Sequence, residues 1–244
     1  MIFLIALLFI TAQVDDARTI YEELDARRNA IVYETATLQM RIVDQRGRVR
    51  ERELESWSYS KDKNTKTFVR FVAPADVRGT GFLTIKEGST EVQRLFLPAL
   101  NRVQTISSAQ KGDRFMGSDF TYEDMGDMDP DNFDFETIER HDDDNQILIK
   151  ATAKEAGSYA VAHFLIDTKR FVLISADYFN VDNQLLRQLS SDDIVEIKDG
   201  IWRANKLTMK DVKTGRYSEI VWKSRTLDEP IPDVIFTERN LTRG

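Results

Sequence analysis

The stretch that decides the reading of this chain is Phe115 to Met125, FMGSDFTYEDM, near the middle of the sequence. Phe115, Met116, Phe120, Tyr122 and Met125 are large and apolar, whereas Ser118, Asp119, Thr121, Glu123 and Asp124 are polar. From Phe120 the apolar spacing fits a short amphipathic helix better than a strand, with Ser118 or Asp119 as N-cap and Gly117 supplying a tight turn before it. Glu123 and Asp124 would then sit in the first turns, where carboxylates favour the helix dipole. A short amphipathic helix between two blocks of strands must lay its apolar side on something, and the face of a sheet is the expected partner.

The strand blocks on either side are legible from period-two alternation and turn residues. Thr35 to Val43 and Arg48 to Ser60 flank the turn DQRG, and Thr65 to Ala73 ends at Pro74. Phe82 to Lys86, Glu91 to Leu97 and Val103 to Ile106 complete the first block. Beyond the central stretch, Phe133 to His141 pairs with Gln146 to Ala153, and Ser158 to Ile166 with Phe171 to Tyr178. Gln184 to Leu189, then Ile201 to Lys210 and Tyr217 to Arg225, continue the pattern, with a last strand-like run at Val234 to Phe236. Asp16 to about Ala30 reads as a helix. Short loops between adjacent strands predict an antiparallel meander in one domain. About eleven or twelve strands in one open sheet would tend to curl. Several strands are apolar on both alternations, as in Val69 and Phe71 opposite Phe68 and Val72, so neither face is expected to be fully wet. The expected fold is mainly β with a few helices: a strongly curved antiparallel sheet whose helices cover its concave, apolar side.

Composition narrows the function. The 244 residues carry 34 basic and 41 acidic side chains, a net charge of −7, which argues against nucleic acid as a main partner. There is no cysteine, which excludes disulfides, thiolate metal sites, cysteine nucleophiles and a lipid-modified N-terminal cysteine. Ile2 to Ile10 is an uninterrupted apolar run, too short to span a bilayer, for which about 20 residues are needed. It has the length of a secretory signal core, so residues 1–17 are read as a signal peptide cleaved near 12–17, and 18–244 as one secreted domain. Arg46, Arg48, Arg50 and Arg52 share one alternation and read as a solvated face.

No catalytic motif is present. His141 and His163, the two histidines, have no metal or triad spacing. Asp127, Asp129, Asp131, Asn132 and Asp134 begin like a calcium loop but lack the glycine and the terminal glutamate such a loop needs, so they read as a solvated connector. Neither a cofactor nor an enzymatic activity is expected. The remaining signal is apolar and aromatic. A half-empty apolar groove suits acyl chains, which release about 0.8 kcal/mol per buried methylene.

WSYSKD at 57–62, TFVRFVAPADVRGTGFL at 67–83, LFLPALNRVQTI at 95–106, FMGSDFTYEDM at 115–125 and WRANKLTMKDVKTG at 202–215 together resemble the LolA-like family of outer-membrane lipoprotein-sorting proteins (the LolA/LolB superfamily). The resemblance runs in order over nearly all of the mature chain. It implies an incomplete barrel enclosing helices and an apolar cavity, in a periplasmic carrier of lipid or lipoprotein acyl chains that works beside a transporter of the resistance-nodulation-division (RND) superfamily. Without an N-terminal cysteine the chain looks like a soluble shuttle rather than an anchored acceptor. Phe68, Phe71, Phe82, Phe96, Phe120, Tyr122 and Met125 are the expected cavity or lid residues. Arg70 and Arg78 are the expected head-group contacts. The alternative is an accessory or interaction subunit of an envelope transporter whose interior is simply a packed core.

Overall fold

The computed structural model describes residues 16–155 and 157–243. The apolar run expected to be a signal core lies outside them. The described chain opens with helix α1 (Asp16–Arg28) and closes with the short helix α2 (Glu238–Leu241). Between them run β1 (Tyr33–Val43), β2 (Val49–Lys61), β3 (Asn64–Ala73), β4 (Gly81–Glu87), β5 (Thr90–Leu97), β6 (Arg102–Thr105), β7 (Phe133–His141), β8 (Gln146–Ala153), β9 (Val161–Asp167), β10 (Val172–Phe179), β11 (Leu185–Lys198), β12 (Ile201–Asp211) and β13 (Tyr217–Leu227). No described helix is long and apolar enough to cross a membrane.

All 13 strands form one antiparallel sheet in the order β6-β5-β4-β3-β2-β1-β13-β12-β11-β10-β9-β8-β7. Every neighbour is also a sequence neighbour except β1 and β13, which pair from Glu34 opposite Leu227 to Val43 opposite Tyr217. The meander is therefore sealed where the two ends of the chain meet and open between β6 and β7. Laid flat, a sheet this wide would measure about 55–60 Å across at the usual strand spacing. Yet Leu95 on β5 and Phe133 and Phe135 on β7 belong to a single core, so the sheet curls until its far ends face each other. Register shifts in six pairings, such as Thr37/Leu38 in β1 against β13 and Glu53/Leu54 in β2 against β3, supply bends of the kind that bulges impose.

The two sheet faces carry separate cores. The larger lies on the inner face and runs from Met40, Phe71 and Phe82 through Phe115 and Tyr122 to Ile147, Phe164 and Met209. Ile147, Ile149 and Ala151 show how it arises, since every second residue of β8 is buried. The smaller core, on the outer face, joins Phe68, Leu83 and Phe96 to Ile231, Phe236 and Leu241 from the C-terminal segment. The two helices divide accordingly. Tyr21 of α1 stacks on Phe135 at 4.9 Å inside the curl, whereas Leu241 of α2 is wholly buried on the outer face. Helix α1 thus packs with the larger core and α2 with the smaller one. Val234 to Phe236, read as a strand, is a 3-10 turn over Asp233–Phe236. Pro230 and Pro232 just before it remove backbone donors that a strand would need.

Candidate functional site: the segment across the open seam

Residues 106–132 connect β6 to β7, the two edges of the sheet. FMGSDFTYEDM thus lies where the curl stays open, but it is not a helix. It forms a 3-10 turn at Phe115–Gly117 and another at Glu123–Met125, with an antiparallel bridge between Arg114 and Thr121. Met116 and Gly117 take left-handed φ of 49° and 73°, which reverses the chain. The Phe115 amide donates to the Phe120 carbonyl at 2.8 Å, and the Ser118 hydroxyl donates to the Phe115 carbonyl at 2.7 Å. Tertiary partners override the local helix signal, because the expected N-cap residues are engaged elsewhere.

Asp119 shows this most clearly. Its amide donates to Ser218 Oγ at 2.9 Å, and that hydroxyl donates back to Asp119 Oδ2 at 2.7 Å. Its side chain is fully buried, with Arg216 Nε at 2.8 Å and Arg114 Nη1 at 3.1 Å from Oδ1. Burial pushes the carboxyl above the usual carboxylate range, against the opposing pull of the Ser218 hydroxyl, Arg216 and Arg114. Asp124 Oδ2 accepts from Arg187 at 2.5 Å and from the Thr121 amide at 2.6 Å. The Arg187 guanidinium also lies 5.1 Å from the Tyr178 ring centre.

Polar groups from both halves of the sheet hold the segment, three of them through its backbone carbonyls. From the β1–β6 half, Arg52 Nη1 donates to the Met116 carbonyl at 2.6 Å and Gln93 Nε2 to the Tyr122 carbonyl at 2.9 Å. From the other half, Arg216 Nη2 donates to the Gly117 carbonyl at 2.8 Å, and the Ser158 amide donates to Glu123 at 2.9 Å. Arg52 therefore leaves the expected solvated stripe. It is buried, with its guanidinium 5.7 Å from the Phe71 ring centre. The acidic connector is likewise tied across the seam, Asp131 to Arg18, Asp129 to Lys86 and Asp127 to Thr65.

The apolar side of the segment fills the inner face. Phe115 lies 5.1 Å from Phe82 and 5.7 Å from Tyr122, with Phe71 at 6.0 Å. Of the expected cavity or lid residues, Phe71, Phe82, Phe120 and Tyr122 meet in this core, and Met125 packs at its margin. Phe68 and Phe96 do not join them. They occupy the outer core, because they sit on the opposite alternation of β3 and β5. Arg70 is outside too: Nη2 donates to the Asn240 carbonyl at 2.6 Å, above the Phe68 ring, and burial lowers its pKa. Arg78 is exposed and bonds the Val72 carbonyl at 3.0 Å. It lines a surface recess of about 450 Å³ with Val77, Thr80, Leu97 and Met116. A second recess of about 490 Å³, lined by Arg114, Thr121, Ser158, Arg187 and Lys213, flanks the segment on the other side.

Sequence reasoning missed the far half of the inner face, where Tyr159 and Tyr178 meet at 4.9 Å beside Phe133 and Phe164. It also missed Gln93, Arg187 and Ser218. Their one visible signal is a polar residue on a strand's inward phase, between Leu185 and Leu189 for Arg187.

An open, curled antiparallel sheet defines the class, and solved structures share this fold. A domain from Vibrio parahaemolyticus described as an outer membrane lipoprotein-sorting protein superposes with a TM-score of 0.86 at 24% identity, covering 93% of this chain and 98% of that one. A DUF1329 family protein from Desulfovibrio piger gives 0.84 at 24% identity, covering 92% and 97%. A LolA superfamily protein from Nitrosomonas europaea gives 0.72 at 18% identity, covering 92% and 98%. The fold is thus LolA-like. Residues 63–243 match the model of a family described only as "-like: Uncharacterized protein", and the chain belongs to that family. No curated protein matches the sequence.

Proposed function

We propose that this protein is a periplasmic carrier that takes lipid, or the acyl chains of lipoproteins, against the inner face of its sheet and does no covalent chemistry. The observation that carries the reading is the seam itself. Among the described residues the sheet is open between β6 and β7, and Phe115–Met125 lies in the connection across that opening with Phe115, Phe120 and Tyr122 in the inner core, on the face proposed to take the acyl chain. Its anchors are polar and partly unmatched. Gln93 Oε1, Arg187 Nη2 and Ser158 Oγ are buried without a protein hydrogen-bond partner. Unmatched buried polar atoms cost about 1–3 kcal/mol each, so displacing the segment forfeits less than its buried aromatic area suggests. Phe71, Phe82, Phe120, Tyr122 and Met125 are the proposed cargo contacts. Directional transfer would come from a partner, for which an RND-type exporter is proposed.

A second reading, an accessory subunit with a permanently packed interior, is favoured by the aromatic contacts that fill the inner face in this state. One experiment separates the two. Protein recovered from the periplasm is extracted for mass spectrometry, and the delipidated protein is titrated with a fluorescent fatty acid while hydrogen exchange is followed at 115–125. The carrier reading expects co-purified lipid, saturable probe binding and faster exchange in 115–125 on loading. Absence of lipid and probe binding, with exchange unchanged, leaves the accessory subunit.

A further inference from the structure

In an antiparallel meander successive hairpin loops fall alternately at the two ends of the strands. One end of this sheet gathers the connections at 44–48, 74–80, 98–101, 154–160, 180–184 and 212–216. The other gathers those at 62–63, 88–89, 142–145, 168–171 and 199–200. The two ends differ sharply in surface chemistry. Val49, Leu100, Val181 and Val212 are exposed at the first end, Leu100 at 67% and Val181 at 86%. The loops of the second end expose no large apolar side chain among the described residues. A single exposed aliphatic residue is ordinary. Four, on or beside four different loops of one end, form a pattern.

Charge follows the same division. Arg46, Arg48, Arg50, Arg78, Arg102, Lys154 and Lys213 are exposed at the first end, with Asp76, Glu155 and Asp182 as exposed acids on its loops, Glu51 exposed beside Arg50, and Asp44 paired to Arg48. The loops of the second end expose Asp62, Asp142, Asp143, Asp144 and Asp199 against Lys63 and Lys169, an excess of acids. On a chain of net charge −7, cations and apolar tips are thus concentrated together at one end. Apolar tips among arginines match the boundary between anionic head groups and acyl chains.

We propose that this end docks on an anionic phospholipid surface, with Leu100, Val181, Val49 and Val212 entering the acyl boundary and the arginines meeting lipid phosphates. The recess beside Arg78, Leu97 and Met116 opens at the same end, so docking would bring the margin of the central segment against the membrane. Docking does not require that an acyl chain enter the inner face, so the proposal stands or falls apart from the carrier reading.

The test is flotation of the full chain with vesicles of phosphatidylcholine and phosphatidylglycerol, compared with phosphatidylcholine alone. Binding is expected to the anionic vesicles and to weaken with salt. Arg46→Gln, Arg50→Gln and Arg78→Gln should each lower partitioning about fivefold, and Leu100→Asp or Val181→Asp about tenfold. Ile138→Asp and Val234→Asp alter exposed apolar residues away from these loops and should leave partitioning unchanged. Failure to bind anionic vesicles, or equal losses in the loop and control variants, overturns the proposal. All these positions are exposed, and circular dichroism confirms folding of each variant.

Discussion

Strands β3, β4 and β5 serve two cores at once, and the two are closed in different ways. Phe71, Phe82 and Leu95 face inward beneath the central segment, while Phe68, Leu83 and Phe96 face outward beneath the C-terminal segment. The inner cover is held by buried polar contacts, Asp119 with Arg114 and Arg216, Asp124 with Arg187, and Gln93 with a main-chain carbonyl. The outer cover is held mainly by apolar contact. Leu241 packs so tightly over Gly81 that a Cβ there would come within 2.8 Å of Leu241 Cδ1. A polar-anchored cover can exchange its partners for water when it lifts, whereas an apolar one only loses contact. On the carrier reading proposed above, the inner cover is the one expected to lift and the outer one to stay in place.

The sharpest break of this comparison is a matched pair of truncations. Phe115→Ala and Phe68→Ala remove fully buried rings from the two cores, and each should cost about 3–5 kcal/mol in urea unfolding. Only the first should raise hydrogen exchange in 115–125 and change fatty-acid binding. Phe120→Ala and Tyr122→Ala belong with the first, since both side chains are buried in the inner core. Next comes Gly81→Ala, for which overpacking costs about 1–3 kcal/mol. Proteolysis should then cut sooner within 231–241, with probe binding as in the wild type; a change in probe binding would show that the two covers are coupled. Gln93→Leu removes one buried hydrogen bond to the Tyr122 carbonyl, a loss of about 1 kcal/mol. Faster exchange confined to the central segment is the expected readout, and a global loss would make that segment structural.

The smallest effect concerns pH. The Asp119 carboxyl is raised above its ordinary 3.8 by burial. Between that ordinary value and its raised value the folded state binds more protons than the unfolded chain, so its contribution to stability falls as pH rises. Asp119→Asn removes this slope. The wild-type minus variant unfolding free energy should therefore decline with rising pH through that window and level off above it. A difference that climbs with pH would mean that the two arginines outweigh burial.

Much of this architecture was legible in residue order. Alternation in segments such as Gln146–Ala153, with turn residues every few positions, marked the meander, and the width of the sheet implied curling. The split of Phe68 from Phe71, and of Phe96 from Phe82, was also present in the parity of their positions. Parity says that two residues face apart, but not which face will be covered by which distant segment. That is why one list of aromatic residues mixed the two cores. The helix expected in FMGSDFTYEDM failed for a related reason: Ser118 and Asp119 have the chemistry of caps, yet Ser218, Arg216 and Arg114 offered Asp119 a buried alternative.

The sequence by itself determined most of the strands, their antiparallel meander and the lack of cysteine, because these depend on local periodicity and on residue identity. Only the tertiary structure decided that β1 pairs with β13, that the opening therefore falls between β6 and β7, and that residues 106–132 must cross it. Those features depend on contacts between positions far apart in the chain, such as Asp119 with Ser218, for which no local pattern carries a signal.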